Sequence, residues 1–259
     1  MSHLLYNPQN ENLITHAQLA DYPTPPSQGR FHRPVPFAAY IDEVKEALDR
    51  NGLRSIQDEF ALSKDNNKLF GVMEVEPLEG QLITSDEWKL LVGVRGAHDQ
   101  SISRGLTLGS SVMVCSNLCF SGDLGTFTTK QTTHIWDRLP RLIYDAVARI
   151  PEMATRQEKS YQSYQDHTMA HRAGDAALME LVRRGALTGA QVVRAMEEWD
   201  NPTHEDHGRH GDSIWKLFNA STEALKPTGA NVNHHTIQER TLKVSGFMDE
   251  LVTTYSKAA

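Results

Sequence analysis

Two hydrophobic periodicities divide this chain, and where they meet constrains its fold more than anything else. Segments that read as strands are confined to residues 56–132. Beyond Thr133 the apolar residues recur at helical spacing instead. Strands followed by helices, rather than the two alternating, predict an α+β fold with a mostly antiparallel sheet. Residues 56–62 and 68–76 flank Lys64-Asp65-Asn66-Asn67, a cluster of turn formers, and so predict a hairpin. Residues 87–96, 110–120 and 124–132 supply further strands, with a turn at Gly122-Asp123. Residues 110–120 are apolar on both faces, which predicts a central strand.

An N-terminal helix precedes the sheet. Residues 37–50 place Phe37, Tyr40, Ile41, Val44, Ala47 and Leu48 on one helical face, and Asn51-Gly52 tolerates the positive φ of a C-terminal stop. After the sheet, Trp136, Leu139, Ile143, Val147 and Ile150 form one stripe; Pro140 sits near its start and Pro151 interrupts it. Residues 152–172 are polar and aromatic. Helices are expected over 175–184, 189–199 (with Thr188 as N-cap), 213–225 and 235–257, with a loop at 200–212.

Six of the eleven prolines fall in residues 1–36. Proline fixes φ and lacks an N–H, so this segment is expected to be an extended arm outside the core. Its apolar patches, Leu4-Leu5-Tyr6 and Leu13-Ile14, would dock on the body or on a neighbouring subunit. The expected organisation is therefore an arm (1–36), a helix plus antiparallel sheet (37–133) and a helical region packed on the sheet (134–259), all one globular unit.

Composition narrows the function classes. The formal net charge is −7, from 26 Lys and Arg against 33 Asp and Glu. That argues against a constitutive duplex binder, which needs clustered cations, but it leaves room for a local basic groove. No apolar run approaches ~18 residues and no secretory leader is legible, so no membrane partner and a cytoplasmic location are expected. Cys115 and Cys119, on one face of a strand, would lie about 13 Å apart at ~3.3 Å per residue, too far for a disulfide. Reduced cysteines fit the cytosol.

No motif names a reaction. A Walker loop, a G-x-G-x-x-G turn and a G-x-S-x-G elbow are all absent from the sequence, so no cofactor is expected. Four constellations remain. His204, His207 and His210, with Glu205, Asp206 and Asp212, carry metal-ligating groups, although a solvated loop explains the same pattern. His167 and His171, spaced i, i+4, would share a helix face, without the glutamate of HExxH. His98-Asp99 at a strand end pairs a base with an orienting carboxylate, or is simply a turn whose Asp bonds its own backbone. Arg95, His98, Arg104, Phe127 and Lys130 combine cations with a stacking ring, as a single-strand groove requires. Trp215, Phe218 and Leu225 read as core, and Asn219 with Glu223 as a structural pair.

Three pieces together resemble a known family. They are Val94-Arg95-Gly96-Ala97-His98-Asp99-Gln100-Ser101, then Val114-Cys115-Ser116-Asn117, then the run from Trp215 to Lys226 with Asn219, Thr222 and Glu223, preceded by Trp199 and Pro202-Thr203-His204. In this order they resemble the phage/plasmid-like protein family of unknown function, domain of unknown function nine-three-two, over roughly residues 50–250. The chain departs from the family pattern at Gly96-Ala97, where serines are common, and at Gln100, where glycine is common. The resemblance implies a phage or mobile-element protein of the bacterial cytosol, in the company of replication, recombination and anti-defence functions. The leading expectation is a non-enzymatic homo-oligomer that binds and anneals single-stranded DNA. The alternatives are an anti-defence protein that blocks a host protein, and a metal-dependent enzyme built on the His204–His210 loop.

Overall fold

A computed structural model describes residues 13–78, 88–112, 117–121, 127–228 and 234–258. The fold is α+β, with an N-terminal helix, an antiparallel sheet and C-terminal helices. The chain divides into two compact units. Unit 1 comprises residues 1–85, 89–109 and 123–154; unit 2 comprises 86–88, 110–122 and 155–259.

The strands are β1 (Leu13–Ile14), β2 (Leu53–Leu62), β3 (Lys68–Pro77), β4 (Trp88–Ala97), β5 (Arg104–Val112), β6 (Asn117–Ser121) and β7 (Phe127–Thr129). Their order is β1-β2-β3-β4-β5-β6, with β7 pairing β5. The expected hairpin is β2–β3, in register from Leu62↔Leu69 to Leu53↔Pro77 with a bulge between Ser55 and Gln57. Asn66 turns it with φ 57°, a conformation asparagine tolerates better than most side chains. Where the sequence predicts one strand over 110–120, there are two, β5 and β6, and β5 begins at Arg104. The Gly-Leu-Thr-Leu-Gly run of 105–109 conceals this start, because glycines weaken a strand pattern. Of the predicted 124–132 strand, three residues form β7. Leu4-Leu5-Tyr6, Cys115 and the Gly122-Asp123 turn lie outside the described residues.

In unit 1, α2 (Phe37–Arg50) occupies the predicted range and buries all six residues of its predicted face. α3 (Ile135–Val147) buries Ile135, Leu139, Ile143, Ala146 and Val147. Pro140 is inside α3 and Pro151 stands in the first turn of α4 (Ile150–Asp166), where a missing N–H costs nothing.

The proline-rich segment is not outside the core. Leu13 and Ile14 add β1 to the edge of β2, and α1 (His16–Leu19) follows behind a capping box of Thr15 and Gln18. Ile14, Leu19 and Val35 are buried. Between Leu19 and Val35 the chain carries neither helix nor strand, and bends and turns at 20–22 and 28–31 interrupt it. What proline's conformational signal does not report is that apolar side chains between prolines can still be buried, each at about 1.5–3 kcal/mol of stabilisation.

In unit 2, α5 (His171–Arg183), α6 (Gly189–Asp200), α7 (Glu205–Gly208), α8 (Ile214–Ala224) and α9 (His234–Ala258) follow α4. α8 is buried from Ile214 to Thr222 on every side. Three of its polar side chains donate to its own carbonyls: Asn219 Nδ2 to Trp215 O (3.0 Å), Ser221 Oγ to Leu217 O (2.7 Å) and Thr222 Oγ1 to Phe218 O (3.0 Å). This is how a fully buried helix carries polar residues without unpaired hydroxyls. Trp215 and Phe218 form the expected core, with Tyr161 and Tyr164 packed against Phe218. No helix among the described residues is long and apolar enough to cross a membrane.

If the N-terminal segment belongs to the core, Leu19→Ala costs about 2–5 kcal/mol, read as a lowered urea midpoint. A detached arm would leave the midpoint unchanged.

Candidate functional site

The i, i+4 pair His167 and His171 does not share a helix. α4 ends at Asp166, and residues 167–170 run extended before α5 begins at His171. The break has a backbone cause. Thr168 forms an antiparallel bridge with Ser213; Met169 N donates to Asp212 O (2.8 Å) and Ile214 N to His167 O (2.9 Å). His167 is tied down separately, through Nδ1 to Ser163 O (2.8 Å) and Nε2 to Ser256 Oγ (3.0 Å).

That bridge brings His171, the first residue of α5, beside Asp212, the residue before the N-cap of α8. His171 Nδ1 lies 2.9 Å from Asp212 Oδ2, and Nε2 lies 2.9 Å from Asp200 Oδ1 at the end of α6. Asp175, one turn along α5, completes the group: ligand atoms of His171, Asp175 and Asp200 all lie within 4.8 Å of one another. His171 and Asp200 are exposed and Asp175 is half-buried, so the group opens to solvent.

Supporting contacts fix the imidazole. Lys216 Nζ reaches Asp212 Oδ1 (2.8 Å) and lies 4.7 Å from the centroid of Trp199. Trp199 stacks on His171 at 5.2 Å, and its Nε1 donates to the His171 carbonyl (3.2 Å). Trp199 itself fits only because residue 174 is glycine, since a Cβ there would overlap Cζ2 and Cε2 of the indole. Bonds to Asp200 and then Asp212 raise the pKa of His171. Lys216 first, and His171 after it, lower that of Asp212.

The three loop histidines do not form such a group. His207 is buried against the half-buried His204, ring centroids 5.0 Å apart, and both its ring nitrogens lack partners. Burial, then the charge of His204, pushes its pKa down to about 4. Among the described residues, neither His204, His207 nor His210 joins a three-ligand cluster; the loop's contribution is Asp212. The physical reason is the single turn of α7, which carries His207 inward.

The residues expected to bind a nucleic-acid strand do not share one exposed face. Lys130 is exposed; Arg95 and Phe127 are half-buried. Arg104 and His98 are buried, and so present nothing to a phosphate backbone outside. Arg104 turns inward because its stem crosses Gly96, where a Cβ would approach Cδ to 2.5 Å. His98 stacks on Phe37 at 3.9 Å. Asp99 does not orient His98; it bonds the backbone N (3.0 Å) and hydroxyl (2.5 Å) of Ser101, as a local turn would.

Two outcomes test the site's construction. Gly174→Ala displaces Trp199 and costs about 1–3 kcal/mol in denaturant unfolding, as overpacking does. The raised pKa of His171 sets a pH signature. Its contribution to stability is fully present below the unfolded value of about 6.5 and is lost as pH rises through the folded value. The stability margin of the native chain over His171→Gln therefore shrinks toward alkaline pH; a margin that grew with pH would contradict the pairing.

Comparison with family models, with curated proteins and with solved structures found no match for this chain.

Proposed function

We propose that this protein binds a divalent metal ion through His171 Nε2 and the carboxylates of Asp175 and Asp200, and that the centre supports hydrolysis. The observation that carries this reading is the division of labour at His171. One nitrogen is held by an outer carboxylate, Asp212, the other lies against Asp200, and Asp175 stands with a carboxylate oxygen within 4.8 Å of the ligand atoms of His171 and Asp200. A metal-bound histidine is normally oriented in this way by a carboxylate on its second nitrogen. One imidazole and two carboxylates suit zinc, manganese or ferrous iron. A bound ion would activate a water in the positions that three protein ligands leave open. Asp212 holds the tautomer, Lys216 holds Asp212, and Trp199 holds the ring plane.

The single-strand-binding reading ranks behind this one. It loses Arg104 and His98 to the interior and keeps Lys130 as its exposed cation.

The test is metal content of untagged protein after dialysis against zinc or manganese. One ion per chain is expected. His171→Ala and Asp200→Asn should each lower the affinity at least tenfold, and Asp212→Asn by about 10–100-fold through the outer-shell contact. His204→Ala and His210→Ala should leave it unchanged. Substoichiometric metal in the native protein, or full occupancy in Asp200→Asn, would overturn the reading. Metal-dependent cleavage of chromogenic esters and phosphodiesters, lost in the same variants, tests the hydrolytic step.

A further inference from the structure

Unit 1 contains a second constellation, independent of the metal reading. It begins at the N-terminus of α2. The N-cap is Pro36, which makes no side-chain cap bond, and the first turn holds no acidic residue. Tyr40 N, bonded to Pro36 O (3.1 Å), follows three residues whose N–H groups have no acceptor within the helix. The partial positive charge of this helix end is therefore not offset by its own sequence.

Two further groups, Arg104 and His98, pack on the first residue of α2, and His32 stands on the segment that leads into it, bridged to Thr132 beside Gln131. Arg104 lies with Cζ 4.6 Å from the ring centroid of Phe37, the first residue of α2, and 5.2 Å from that of Tyr40. Its side chain is buried. Nη2 donates to Val35 O (2.5 Å) and to Gln131 Oε1 (3.4 Å), while Nε and Nη1 have no acceptor. Among the described residues no carboxylate pairs with Arg104, a position buried arginines seldom occupy. His98 stacks on the same Phe37 ring, and its Nδ1 is buried without a partner. His32 accepts from Gln28 N at Nδ1 (2.9 Å), which in the neutral ring places the proton on Nε2; that atom too is buried without a partner.

Three of the unmatched atoms share one character. The guanidinium Nε–H and Nη1–H and the His32 Nε2–H are donors, and the helix end adds its dipole. The aromatic faces of Phe37 and Tyr40 offset part of the charge on Arg104. What would complete the cluster is an acceptor that carries negative charge. Helix N-termini bind phosphate and carboxylate groups for the same reason. Burial, and then the charges of Arg104 and His32, hold the His98 pKa down to about 4, as expected of an imidazole in a cationic enclosure.

We propose that the α2 N-terminus, Arg104, His98 and His32 form an enclosed binding site for a small oxyanion. The site takes a single phosphate-like or carboxylate group, not a polymer, because Arg104 and His98 are closed off from the surface. Its occupant links the segment before α2 to the β4–β5 connection, two pieces of chain distant in sequence.

The test is isothermal titration calorimetry of the intact chain with inorganic phosphate, and in parallel with acetate, at fixed ionic strength. Saturable one-to-one binding of at least one of them is expected. Preference for phosphate identifies a phosphoryl-type occupant, and preference for acetate a carboxylate. Arg104→Met should abolish binding. Because that variant can unfold, His32→Leu provides a second reading: it keeps the guanidinium and should weaken binding at least tenfold. Lys130→Ala, exposed in the same unit, should bind as the native chain does. The proposal is overturned if neither anion binds saturably. It is equally overturned if folded His32→Leu binds like the native protein, or if a crystal grown in phosphate shows only water beside Arg104.

Discussion

The guanidinium of Arg104 carries a charge into the interior of unit 1, and the surrounding chain meets part of the demand this makes. Removing an ion from water costs several kcal/mol unless polar groups replace its hydration. Here the replacements come from separate parts of the sequence. Val35 offers a carbonyl, Gln131 an amide oxygen, and Phe37 and Tyr40 their ring faces. Gln131 does more than accept. Its Oε1 also takes the Val35 N–H (2.7 Å) and its Nε2 donates to Ala97 O, so one side chain fastens the proline-rich segment to the end of β4. The Tyr40 hydroxyl donates to Gly105 O (2.7 Å), joining α2 to β5. Val35, Gln131, the start of α2 and the start of β5 are thus tied together around one cation.

Unit 2 meets a different requirement. α8 is buried on all sides, so each element around it must offer an apolar face and leave its polar residues at the ends. His171, Asp200 and Asp212 fall at such ends: the start of α5, the end of α6 and the approach to α8. Helix termini are where side chains are free of the packed face and backbone geometry is least repetitive. A polar cluster assembled there costs the core nothing. Its stacked indole is the one member that belongs to both, since Trp199 is fully buried yet bonded to the His171 carbonyl.

Much of the fold was legible because it depends on local periodicity. α2, the β2–β3 hairpin, β4, α6 behind Thr188, α8 and α9 stand close to where spacing and capping put them. Misreadings arose where long-range contacts decide. The bridge between Thr168 and Ser213 separates two histidines whose spacing alone places them on one helix. Gly105 and Gly109 hide the start of β5, and the prolines hide a segment with buried Leu19 and Val35. The candidate site was half legible. His171 and Asp212 both drew attention as metal-ligating types, each with the wrong companions. Asp175 and Asp200 gave no signal, being acidic residues on helices whose approach depends on tertiary packing. Arg104 was singled out for its charge, but nothing in the sequence shows that it faces inward across a glycine.

The bridge between Thr168 and Ser213 has a topological consequence. The chain leaves this point as α5 and returns to it after α7, so the whole excursion is a loop whose two ends are hydrogen-bonded together. Closing such a loop is settled at its base, and the entropy of closure grows only slowly with its length. The base itself is where His167, Met169, Asp212 and Ile214 exchange backbone bonds. The excursion is nevertheless fastened a second time inside its span, where Arg194 of α6 donates to the carbonyls of Ala224 and Lys226 at the far end of α8.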